Sequence, residues 1–84
     1  MNNRIGVVGI VIEDSQQVDK INDILHVHAG VIAGRMGIPH PNGRDVNVIS
    51  IVVDGTTDDI GSLTGKLGVL NGVSVKSALS KKTY

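Results

Sequence analysis

The chain has 84 residues, enough for one domain and no more. Eight Lys plus Arg balance eight Asp plus Glu, which argues against electrostatic capture of nucleic acid and in favour of association over self-repulsion. Cysteine is absent and Tyr84 is the one aromatic residue, so disulfides, thiolate metal sites and iron–sulfur clusters are excluded and almost no surface is left for stacking a base.

Arg4 to Glu13 is a Val/Ile-rich run interrupted by Gly6 and Gly9. It is too short and too β-branched for a good helix and reads as a strand buried on both faces. Asp14 or Ser15 then offers an N-cap, and Val18, Ile21 and Leu25 recur at i, i+3, i+7 with Ile24 beside them. This spacing predicts an amphipathic helix over about 15–29, closed by Gly30. Val31 to Pro39 reads as a second strand. Pro41-Asn42-Gly43 predicts a tight turn, because Asn and Gly tolerate positive φ. Asp45 to Asp54 is the third strand. Thr56-Thr57-Asp58-Asp59 predicts a capped helix start with acidic residues in the first turn, where the helix dipole favours them. Ile60, Leu63, Leu67 and Leu70 continue that helix to Asn71-Gly72. Val73, Val75, Ser77 and Leu79 alternate with Ser74, Lys76, Ala78 and Ser80, the period of a half-buried strand. Lys81 to Tyr84 is expected to fray.

The order β-α-β-β-α-β predicts an α+β, ferredoxin-like sandwich: a four-stranded antiparallel sheet with two helices on one face, as a single domain over residues 1–84. The longest apolar stretch, Ile5 to Ile12, is far too short to cross a bilayer, and a cytoplasmic location without membrane contact is expected. Three glycines, Gly61, Gly65 and Gly68, fall in the second helix. They imply tight packing on the sheet, local instability, or a face open to another backbone.

Both helices of such a fold cover one sheet face, so the other should be polar at alternate positions. Strands one and three break that rule. Ile5, Val7 and Val11 alternate with Val8, Ile10 and Ile12, and Val46, Val48 and Val52 alternate with Ile49, Ile51 and Val53. Apolar patches of this size are uncommon on monomers. A homo-oligomer, dimer or tetramer, is therefore expected, with Val7, Val11, Val46, Val48 and Val52 at its interface.

The candidate chemical sites are few. His26 and His28 form an H-x-H pair at the end of the first helix, and His40 sits in the hairpin. They are the candidate ligands for a divalent metal, the cofactor class left open. On a helix i and i+2 diverge, so chelation by the pair needs the helix end to unwind, with Asp23 three residues before His26. Arg35 and Met36 lie in Gly34-Arg35-Met36-Gly37-Ile38-Pro39. A charge in mid-strand, sharing alternation with Val31 and Ala33, suits an ion pair or a small anion. Asp54-Gly55-Thr56-Thr57 reads as a cap. No serine stands in a G-x-S-x-G turn, and no carboxylate pair is placed for acid–base work, so an enzyme is not expected.

Arg4-Ile5-Gly6-Val7-Val8-Gly9-Ile10-Val11, Gly34-Arg35-Met36-Gly37-Ile38-Pro39, Ile49-Ser50-Ile51-Val52-Val53-Asp54-Gly55-Thr56, Leu63-Thr64-Gly65-Lys66-Leu67-Gly68 and Gly72-Val73-Ser74-Val75-Lys76 together resemble the family of iron-only hydrogenase system regulators, in that family's order and over nearly the whole chain. The resemblance implies an ACT-like fold, an anaerobic bacterium and a regulatory role that is a family label rather than an established mechanism. The fold also resembles the C-terminal domain of nickel-responsive repressors. Here the chain begins directly at the first strand, so no DNA-binding segment and no direct nucleic-acid contact are expected. In ACT domains that bind amino acids the first βα loop usually carries a glycine; here Asp14-Ser15-Gln16 replaces it, and Asp14 and Ser15 become candidate ligand contacts. The resemblance thus implies a homo-oligomeric small-ligand sensor acting through a regulatory protein partner. The alternatives are a metal-responsive module lacking its own DNA-binding domain, or a structural subunit in hydrogenase maturation.

Overall fold

The computed structural model describes residues 2–84. Four strands are present: β1 (Arg4–Ile12), β2 (Ile32–Pro39), β3 (Asn47–Gly55) and β4 (Val73–Leu79). Two helices, α1 (Val18–Val27) and α2 (Thr57–Gly68), follow β1 and β3. The sheet is antiparallel in the order β2-β3-β1-β4, which makes it a ferredoxin-like α+β sandwich. The two most β-branched strands, β1 and β3, take the centre, where each is paired on both sides.

The helices bury one side of that centre. Val8, Ile10 and Ile12 of β1 and Ile49, Ile51 and Val53 of β3 pack with Ile21 and Leu25 of α1 and Ile60, Leu63 and Leu67 of α2. Among the described residues no polar or charged side chain is buried. Helix α2 is capped as its sequence predicts: the Thr56 hydroxyl accepts from the Asp59 N–H at 3.1 Å, and Asp58 and Asp59 stand in the first turn. Beyond its far end, Gly72 takes a φ of 72° beside Asp14. There the Glu13 N–H donates to the Gly72 carbonyl at 2.7 Å, which ties the exit of β1 to the entry of β4.

Several expectations are revised. The first helix is not continuous over 15–29. A 3-10 turn at Ser15–Gln17, capped by Asp14, precedes α1, and a second at Ala29–Val31 follows it. The third strand starts at Asn47 rather than Asp45. The hairpin turn places Asn42 and Gly43 at positive φ, as their chemistry predicts, and adds His40 at 47°. The Lys81–Tyr84 tail does not simply fray. Asn3 and Tyr84 exchange two backbone hydrogen bonds, and Arg4 Nη1 donates to the carbonyls of Ser80 and Lys81. These bonds extend the edge of the sheet past β4.

Candidate functional site

Two surfaces hold the features expected of a working site. The first is the sheet face that no helix covers. Register places Val7 opposite Val52, and Val11 opposite Val48. On the far side of β3, Ile38 lies opposite Val48 and Met36 opposite Ser50. All of these share one face, since residues directly opposite in a ladder point the same way. Val7 is 48% exposed, Val52 41%, Met36 61% and Ile38 47%. The apolar band therefore runs across β2, β3 and β1. It ends at β4, where Ser74, Lys76 and Ala78 face the same way.

The second surface is a groove on the opposite side, between α1 and the edge strand β2. Arg35 lies opposite Ile51 in the ladder, so it points to the helix side. Its Nη2 donates to Asn22 Oδ1 on α1 at 3.1 Å. This bridge divides the groove into two hollows. One, of about 240 Å³, is walled by Ile12, Val18, Ile49 and the Gly37–Pro39 end of β2. The other, of about 320 Å³, is walled by Leu25, His26, Ala29 and Ile32. Arg35 and Asn22 border both.

Comparison with known proteins bears on what these surfaces serve. The model of the TM1266-like family, whose provisional description is iron-only hydrogenase system regulator, matches residues 4–77. The chain belongs to this family. The structure of TM1266 from Thermotoga maritima, described as an uncharacterized protein, is similar over 94% of this chain and 99% of its own, with 31% identity and a TM-score of 0.86. A more distant likeness is to CPII, a nitrogen regulatory PII-like protein from Thiomonas intermedia K12. Its structure bound to ADP, AMP and bicarbonate has 14% identity and a TM-score of 0.54, covering 94% of this chain and 92% of CPII. The apo form of CPII gives 13% identity, a TM-score of 0.54, and coverage of 92% and 91%. At that identity CPII shares the fold alone. No curated protein matches the chain.

Within this member of the TM1266-like family, the residues singled out by sequence fall into separate places. Val7, Val11, Val48 and Val52 lie together on the open face. Val46 precedes β3, in the hairpin connection, where its carbonyl accepts from the His40 N–H at 2.9 Å. Arg35 and Met36 point to opposite faces, so only Arg35 belongs to the groove. A bulge changes the phase of β2 between Ile32 and Gly34. As a result Arg35 shares the helix side with Ile32, not with Ala33 as plain alternation predicts. Asp14 and Ser15 border neither hollow; the Asp14 carboxylate instead accepts from the Gln16 N–H at 3.0 Å.

The three histidines are not brought together. His26 borders the second hollow. His28 Nε2 lies 3.3 Å from Lys66 Nζ on α2, a contact with a cation rather than with a fellow ligand. His40 Nδ1 lies 3.2 Å from the Arg44 carbonyl in the hairpin. Among the described residues no three His, Asp or Glu side chains gather as a metal would require. Chelation by His26 and His28 needs the end of α1 to unwind there, but the 3-10 turn at Ala29–Val31 starts beyond both. Two residues escaped the sequence reading: Asn22, which holds Arg35, and Ile38, which extends the open face onto β2. Strict alternation outward from Arg35 points to Ile38; nothing local marks Asn22.

Proposed function

We propose that this chain is a non-catalytic regulatory module of the iron-only hydrogenase system, which self-associates through its open sheet face and responds to a small ligand held at Arg35. The single observation that carries the reading is the apolar band on that face: Val7, Val11, Val48, Val52, Met36 and Ile38 on three adjacent strands with no helix over them. Contiguous apolar surface of this kind marks an interaction site. A second copy is the occupant that the chain itself supplies, and the self-complementary surface of a two-fold dimer needs no other partner. The zero net charge permits close approach of two identical surfaces. Membership of a family described as regulators supports a role in control rather than in chemistry. Its output then passes to a regulatory protein partner.

Sedimentation velocity tests the assembly. The wild-type chain is expected to sediment as a dimer or larger at micromolar concentration. Val52→Asp places a charge in the centre of the band, where desolvating it costs several kcal/mol. The variant should dissociate with a Kd raised roughly a hundredfold or more, equivalent to about 2.7 kcal/mol. Wild-type assembly by Val52→Asp would remove the open face from the interface.

A further inference from the structure

Arg35 is oriented without being neutralised. Its partner in the fold is the Asn22 amide oxygen, which carries no net charge, so the guanidinium keeps its full charge and its remaining N–H donors. Among the described residues no Asp or Glu borders either hollow. Beside this cation the first hollow is walled mainly by the aliphatic Val18, Ile12 and Ile49, with Asn47 at its border, whereas the second sets His26 beside Leu25 and Ile32. A cation held by Asn22 at the mouth of a mainly aliphatic hollow is a site for an anion with an apolar body.

We propose that the groove between α1 and β2 binds small aliphatic monocarboxylates that lack an amino group. The carboxylate sits on Arg35, the tail lies against Val18 and Ile49, and Asn22 positions the guanidinium. This inference rests on the reading of the chain as a ligand-responsive module and supplies the chemistry of that ligand. Three features define the class. The planar guanidinium fork matches a carboxylate with two parallel hydrogen bonds. Inorganic phosphate has no apolar body to lay against Val18 and Ile49 and so gains nothing from burying their surface. An α-ammonium would meet no carboxylate in the lining and would lie close to a like charge on Arg35. Amino acids are thereby disfavoured against their deaminated counterparts.

A two-dimensional amide NMR titration of the full chain with isocaproate, leucine and inorganic phosphate at matched ionic strength tests this. Isocaproate should shift the amides of Arg35, Gly37 and Asn47 saturably, with leucine and phosphate roughly tenfold weaker or more. Asn22→Asp sets a carboxylate against the guanidinium and should weaken isocaproate roughly tenfold to a hundredfold, as should Arg35→Lys, which removes the fork. Asn22 and Arg35 are both exposed, so these variants keep the core, and retained amide dispersion verifies it. Non-saturable shifts, equal binding of phosphate or leucine, or an unchanged affinity in Asn22→Asp would each overturn the proposal. Sedimentation of the same samples separates the two readings. An assembled chain indifferent to isocaproate defeats the ligand class alone, whereas a monomer that binds isocaproate defeats the assembly alone.

Discussion

Gly6 lies where β1 runs against β4, and a Cβ there would stand 2.6 Å from the Ala78 carbonyl oxygen. No side-chain rotation relieves a clash with backbone, so Gly6→Ala must push β4 off the sheet. A loss of about 2 kcal/mol or more is expected, in the range of overpacked core sites. Gly61, Gly65 and Gly68 are the reverse case. They line the exposed side of α2, away from Ile60, Leu63 and Leu67, and a Cβ at any of them meets open space. Tight packing on the sheet therefore does not explain them. Gly61→Ala and Gly65→Ala should each stabilise the fold by about 0.5–1 kcal/mol in urea denaturation, through helix propensity and a less flexible unfolded chain. Unchanged or lower stability would mean that this stripe is in contact with something in the native protein. The letter is the same in β1 and α2, which is why sequence did not separate the two roles: the distinction lies in what a neighbouring strand brings close. Arg35 was legible because a charge in mid-strand is uncommon. Asn22 was not, because its partner lies 13 residues away across a groove that exists only after folding.

Helix and strand identities were legible throughout: α1 and α2 carry the 3.6 period, β4 alternates with period 2, and β1 and β3 are short β-branched runs. The end of α2 nearest β3 was legible in detail, as a hydroxyl at Thr56 followed by two acids. Thr56→Ala should remove about 1 kcal/mol, the value of an N-cap bond; Thr56→Ser, which keeps the hydroxyl, should restore most of it in the same denaturation series. What the local pattern did not carry was set by pairing between elements. The bulge at β2 shifts the phase of Arg35, and nothing in Val31 to Pro39 announces it. Asn3 and Tyr84, at opposite ends of the chain, hold the tail through backbone bonds that have no sequence signature. The 3-10 turns flanking α1 shorten a helix whose predicted limits were set by Asp14 or Ser15 and by Gly30; its apolar stripe, Val18 to Leu25, lies wholly within α1.

At the level of the whole molecule the two faces of the sheet divide the work. One builds the core beneath α1 and α2, and its far margin, at β2, leaves the Arg35 groove open. The other carries the apolar band. The contributions of β1 and β3 to that band were legible, since both alternating sets in each strand are apolar and only one can lie under the helices. The contribution of β2 was only partly so, because its exposed Met36 and Ile38 depend on the register with β3. The family is described, provisionally, as a regulator of the iron-only hydrogenase system; recognition, as proposed, falls on the two exposed surfaces of the fold. Mixed-label NMR asks most directly whether a second copy covers the band. A sample combining methyl-labelled and unlabelled chains should give intermolecular contacts at the Val7, Val52 and Ile38 methyl groups. Their absence, in a chain that stays monomeric at high micromolar concentration, would contradict it.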